Sequence, residues 1–169
     1  MNYAKIETED VCNAQGVSVV LWVSGCDHKC YHCHNPELWD ETYGKCFGRK
    51  ENQILINELN KTFINNLVLS GGDPLYKSNL ESIYILVRSI KYRFHESKKI
   101  WLYSGFTYEQ ILEDKYKKRI LQYIDILIDG EFQEKLSSHT YPWAGSTNQR
   151  VIDVQKSLKS GEVILWDYK

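Results

Sequence analysis

The chain has 169 residues, a length that suits one domain with a sizeable core. Apolar residues make up 43% and charged residues 25%, the balance of an ordinary soluble globular protein. A net charge of −1 excludes the broad basic field expected of a nucleic-acid binder.

No apolar run approaches the roughly 20 residues needed to span a bilayer. The first residues, "MNYAKIETED", lack the apolar core of a signal peptide. The expectation is therefore a cytoplasmic protein with no membrane partner. In that reducing setting clustered cysteines point to metal or redox chemistry rather than disulfides. Tyrosine occurs 12 times, but lone tyrosines are usually packing residues, so the count carries no function.

In chain order, "VSVVLWVS" (17–24) is apolar and β-branched and reads as a buried strand. A cysteine-rich stretch, "GCDHKCYHCHNPELWD" (25–40), follows it directly. "ENQILINELN" (51–60) reads as a helix and "NNLVLS" (65–70) as a second strand. "SGGDP" (70–74) then breaks the pattern. "SNLESIYILVRSIKYRF" (78–94) sets Leu80, Ile83, Val87 and Ile90 on one helical face, with Ser78 and Glu81 spaced for a capping box. "KIWLYSG" (99–105) is a third strand. Thr107 and Gln110 form a second box opening "TYEQILE", and "YIDILID" (123–129) is a fourth strand. A polar stretch to Asn148 and two apolar segments, "RVIDV" and "EVILWD", complete the chain. No repeat or linker interrupts it, so residues 1–169 are expected to form one domain. The tail 155–169 is the least defined part and receives no role.

The alternation of strands and helices predicts an α/β fold with a mostly parallel sheet. An open sheet and a partial barrel both satisfy it. The candidate functional residues fall just after strands, at the edge where parallel α/β folds bind ligands.

Three of the five cysteines, Cys26, Cys30 and Cys33, lie in the stretch after the first strand. Their spacing would suit a helical stripe, but the polar neighbours Asp27, His28, Lys29, His32 and His34 oppose one. A structural zinc would need a fourth ligand, from His28, His32 or His34. Such sites usually bring a second cysteine pair, whereas Cys12 and Cys46 are isolated. A [4Fe–4S] cluster on three thiolates would leave one iron without a protein ligand, open to a substrate or cofactor. Spacing alone does not separate zinc from cluster.

"SGGDP" has a plain reading as a turn, with Asp73 capping the next helix and Pro74 at its first position. It also has a functional one. Gly71 and Gly72 let the backbone approach a ligand, and Asp73 offers a carboxylate to an ammonium group.

Together, Cys-x3-Cys-x2-Cys with His32 before the last cysteine, and a Gly-Gly-acid after the second strand, resemble the radical S-adenosylmethionine superfamily. Within it, "SGC.H.C..C.N...WD", "LSGGDP", "IWLYSGFTYEQI", "IDILIDGEF" and "GSTNQRVIDV" resemble, in order, segments of the family that activates anaerobic ribonucleoside-triphosphate reductase. The resemblance covers most of residues 10–154.

It implies a shortened partial (β/α) barrel of radical SAM type. A full barrel takes about 250 residues. It implies Cys26, Cys30 and Cys33 as ligands of a [4Fe–4S] cluster. S-adenosyl-L-methionine would lie against His32, Cys33 and His34, with Gly71, Gly72 and Asp73 at its methionine end. Tyr103, Ser104, Asp129, Asn148 and Gln149 would line the same pocket. The implied partners are the large subunit of the reductase, whose glycine loses a Cα hydrogen to a 5′-deoxyadenosyl radical, and an electron donor such as flavodoxin. The rivals are an activase of another glycyl-radical enzyme, a radical enzyme acting on a free metabolite, and a non-enzymatic zinc-binding module.

Overall fold

A computed structural model describes residues 1–167; the last two residues of the expected tail lie outside the described residues. Seven strands form one sheet. They are β1 (Asn2–Asp10), β2 (Ser18–Val23), β3 (Lys45–Cys46), β4 (Asn66–Gly71), β5 (Lys99–Tyr103), β6 (Ile126–Asp129) and β7 (Arg150–Asp153), in the order β3-β1-β2-β4-β5-β6-β7. The pairs β2–β4, β4–β5 and β5–β6 are parallel. The pairs β1–β2, β1–β3 and β6–β7 are antiparallel. The expected parallel sheet is thus the four-stranded centre, flanked by antiparallel edges. No pairing joins β3 to β7 among the described residues, so the sheet is open rather than closed into a barrel.

The four predicted strands appear as β2, β4, β5 and β6. Each helix lies against the same face of the sheet. Val19, Leu21 and Val23 of β2, Leu67 and Leu69 of β4, and Ile100 and Leu102 of β5 point into one core. There they meet α1 (Arg49–Leu59), α2 (Leu80–Phe94), α3 (Tyr108–Glu113), α4 (Lys115–Leu121) and α5 (Val154–Ser160). The alternate residues Val20, Val68, Trp101, Ile126 and Ile128 face the other way, against Ala14, Ala144 and the aromatic side chains of Tyr141 and Trp143. This is the period-2 alternation of strand side chains. One face is covered by helices and the other by loops, which leaves room there for a cleft.

Helix α2 buries Ile83, Leu86, Val87 and Ile90, close to the predicted stripe, while Leu80 is partly buried. Its predicted capping box is absent. Asn79, not Ser78, stands at the N-cap, and no side chain caps the helix. The Asn79 amide is used elsewhere, donating to the Ser24 and Asp73 carbonyls at 2.9 and 3.1 Å. The box of Thr107 and Gln110 is present at α3. Strand β1 and helices α4 and α5 add to the predicted elements. The described part of the tail folds back on β7: Trp166 N–H donates to Val151 O at 2.8 Å, and Leu165 bridges Ile152.

Candidate metal and cofactor site

The loops after β2, β4, β5 and β6 meet at the C-terminal end of the parallel strands, around a cleft of about 540 Å³. Cys26, Cys30 and Cys33 open on it beside Gly71, Gly72 and Asp73. Tyr103, Ser104 and Gln149 line it further along, as does His34. These predicted residues, distant in sequence, share one cavity.

The two glycines serve the chain itself. A side-chain carbon on Gly71 would lie 2.6 Å from Val23 O, and one on Gly72 2.6 Å from Gly25 O. Gly71 also has φ +110°, a conformation that favours glycine. The turn after β4 therefore nests against the start of the cysteine loop. Gly72 N–H donates to Val23 O and Asp73 N–H to Gly25 O, both at 2.8 Å.

Asp73 does not cap a helix as the plain turn reading expects. It is buried and starts no helix; its Oδ1 accepts Leu75 N–H at 2.7 Å within a turn. It also accepts the Ser104 hydroxyl at 3.0 Å, Gly105 N–H at 3.0 Å and His28 Nε2 at 3.0 Å. A carboxylate with these donors is already satisfied. It ties the loops together at the edge of the cleft.

His28 carries Glu131 on its other nitrogen at 2.9 Å. Burial opposes its charged form, but Asp73 and Glu131 outweigh burial and hold its pKa above the ordinary 6.5. His32 departs from the expected cofactor wall. It stands exposed at φ +55°, stacked on Tyr31 at 4.1 Å and paired with Glu134, outside the residues that line the cleft. Its aromatic ring is drawn outward by the carboxylate and the neighbouring tyrosine.

Asp129 and Asn148 face a neighbouring recess of about 610 Å³ rather than the main cleft. Asp129 accepts Tyr108 N–H at 2.8 Å and pairs with Arg150, which also grips Glu109 at 2.8 and 3.0 Å. Asn148 donates to Glu131 O at 2.9 Å. The Tyr103 hydroxyl lies 2.9 Å from both Asn13 O and Trp143 O and shares its one proton between them. Gln149 accepts Gly145 N–H at 2.9 Å and donates to Gly130 O at 2.8 Å. Asn79, Glu131 and Gly105 also hold this site, and no local spacing marks them in the sequence.

The Arg150 hydrogen bonds hold the Glu109 carboxyl at about 2, below its ordinary 4.5. A lowered folded-state pKa stabilises the fold above pH ~4.5 and loses that contribution as pH falls towards ~2. Glu109 is 56% exposed, so the effect is small, at most about 1 kcal/mol. Glu109→Gln is expected to be less stable than the parent at pH 7, with the gap closing between pH 5 and 2. Urea unfolding across pH reads this, and a gap independent of pH would contradict it.

The three thiols suit a cluster. Burial pushes Cys26 up to about 11 despite the His28 and Lys29 amides near its sulfur. Burial also raises Cys30, opposed by the Phe132 amide. Asn35 N–H donates to Cys33 Sγ at 3.4 Å. Amides aimed at sulfur stabilise thiolate ligands once the protons leave on metal binding. A tetrahedral zinc needs sulfurs within roughly 4 Å of each other. Among the described residues no group of three or more His, Cys, Asp or Glu side chains is placed to hold a metal ion. His28 and His32 are also committed to carboxylates.

Comparison with known proteins agrees with this donor set. Residues 12–152 match the family model described as a 4Fe-4S single cluster domain. A protein of Enterobacteria phage T4 called anaerobic ribonucleoside-triphosphate reductase-activating protein is 41% identical over 151 residues, 89% of this chain and 93% of its own. The protein of the same name from Haemophilus influenzae is 38% identical, covering 88% of this chain and 96% of its own. That from Escherichia coli K12 is 34% identical over 153 residues, 89% and 97% of the two chains. No helix among the described residues is long and apolar enough to cross a membrane.

Proposed function

Since the chain belongs to the family of anaerobic ribonucleoside-triphosphate reductase-activating proteins, with a 4Fe-4S single cluster domain, we propose that it activates such a reductase by radical S-adenosylmethionine chemistry. The observation that carries the reading is the meeting of Cys26, Cys30 and Cys33 with the Gly71–Gly72 turn in one cleft.

When bound, a [4Fe–4S] cluster supplies the electron that cleaves S-adenosylmethionine into methionine and a 5′-deoxyadenosyl radical, which takes a Cα hydrogen from a glycine of the reductase's large subunit. The chain's own residues bind, orient and shield. Cys26, Cys30 and Cys33 are the ligands. The backbone of Gly71 and Gly72 borders the place for the cofactor's methionine end, and Asp73 acts there by holding the turn. Tyr103, Ser104, Gln149 and His34 wall the cleft. Asp129 and Asn148 act from the adjoining recess, through the loop after β6. His32, on the exposed rim, would reach a cofactor only by turning inward.

The open sheet supports entry of the partner's glycine loop from one side, with the partner completing the exclusion of water. All named strands join one sheet, which supports reading residues 1–169 as one domain. The electron donor would be a flavodoxin-like protein and the setting the cytoplasm.

Anoxic reconstitution tests this reading. Iron and sulfide should be retained, and 5′-deoxyadenosine should form only with reductant. Addition of the reductase subunit should yield a glycyl radical seen by paramagnetic resonance. Zinc in place of iron and sulfide, or no 5′-deoxyadenosine, rejects it. A radical formed only on another glycyl-radical enzyme reassigns the partner.

A further inference from the structure

One imidazole touches the loops that follow all four parallel strands. His28 belongs to the loop after β2. Its Nε2 stands 3.0 Å from Asp73 Oδ2, after β4, and its Nδ1 2.9 Å from Glu131 Oε1, after β6. Its ring meets Phe106 edge-on at 4.5 Å, and a side-chain carbon on Gly105 would lie 2.5 Å from it; both residues follow β5. Only 11% of the His28 side chain is exposed. With both nitrogens held by carboxylates, it is not placed as a metal ligand.

The backbone around it is thinly anchored. Within 27–34 one backbone-to-backbone hydrogen bond forms, Cys33 N–H to Cys30 O at 3.1 Å, while Cys26 just before it donates its N–H to Trp39 O at 3.2 Å and takes the His28 and Lys29 amides at its sulfur. Strands hold their own geometry through the ladder, but a loop of this kind must be fixed by side chains. We propose that His28 is a positioning residue, which sets the segment carrying Cys26 and Cys30 by clamping it to the three other loops. The thiols are then presented in place before a metal arrives, so that less ordering accompanies its binding. Glu131 is the outer arm of the clamp and Asp73 the inner one.

The proposal deepens the cluster reading, and its test does not depend on it, because it uses the full chain free of metal. Under anoxic, reducing conditions, iodoacetamide labelling resolved by mass spectrometry reports how often each thiol is open. H28A is expected to raise labelling of Cys26 and Cys30 about tenfold, with Cys46 unchanged as an internal control. H28Q, which keeps a donor towards Asp73, should fall well below H28A. That rescue separates hydrogen-bonded positioning from loss of ring packing. Wild-type labelling in folded H28A, a parallel rise at Cys46, or H28Q labelling as fast as H28A would each overturn the proposal. Should H28A fail to fold, E131A carries the test by removing the outer arm alone. A rise of about threefold at Cys30 then supports the clamp, and wild-type labelling overturns it.

Discussion

Replacing Cys26, Cys30 or Cys33 singly by alanine is expected to abolish cluster retention and to cut reductant-dependent 5′-deoxyadenosine by more than about 10²-fold. The expectation follows from ligand count. In the proposed reading three thiolates would leave one iron for the cofactor, so losing one of them leaves two, too few to hold a cluster against exchange. Cys12→Ala and Cys46→Ala should retain iron and activity. Cys12 makes the sharper control, since it lines the same cleft as the three proposed ligands, whereas Cys46 lies away from it on β3. Iron, sulfide and 5′-deoxyadenosine measured on the five variants decide the matter. If Cys12→Ala also lost its iron, the three-ligand assignment would be wrong.

Asp73→Ala should be the most damaging change outside the thiols. It leaves the Leu75 and Gly105 amides, the Ser104 hydroxyl and His28 Nε2 without their acceptor in a buried place. Stranding one partner of a buried charged pair costs about 3–5 kcal/mol. Asp73→Asn keeps an acceptor oxygen and should lose less. The turn of Gly71–Gly72 would also shift against the cysteine loop, and a displacement of about 1 Å near reacting groups costs on the order of 10²-fold in rate. Urea unfolding of the metal-free chain measures the first effect and turnover of reconstituted protein the second. A stability within about 1 kcal/mol of the parent would show that Asp73 is not the tie described here.

The parts of the fold that were legible were those whose burial is written locally. The strands β2, β4, β5 and β6 are runs of apolar residues, and α2 carries its stripe at helical spacing. Strand β1 escaped because its residues are half-buried and mostly polar. It is a strand because β2 offers it a ladder, a tertiary cause with no local signature. Helices α4 and α5 are one to two turns long, too short for a periodic pattern. Asn79 shows the same limit at one residue. Its local position suits a cap, but the Ser24 and Asp73 carbonyls claim its amide.

In the site, the three thiols were legible because metal chemistry fixes residue type and spacing. Asp73 stands out in the sequence, but three of the four residues that donate to it lie 31 to 45 positions away, where no local pattern reveals them. His32 was assigned by its place in the motif, but Tyr31 and Glu134 direct its ring outward. His28 and Glu131, 103 residues apart, carried no signal that would pair them.

The aromatic wall of the cleft has an optical consequence. Of the five tryptophans, Trp22, Trp39 and Trp143 border the cavity, and Trp143 touches buried Trp101 edge-on at 5.1 Å. Trp101 in turn meets Trp166 at 6.3 Å on the same face of the sheet. Most of the intrinsic emission therefore arises beside, or one ring away from, whatever fills the cleft. A visible-absorbing centre there would drain that emission by energy transfer, and a colourless ligand would shift its wavelength by displacing solvent. The chain thus carries a built-in fluorescence gauge of its own occupancy, readable through the walls of an anaerobic cuvette without a label.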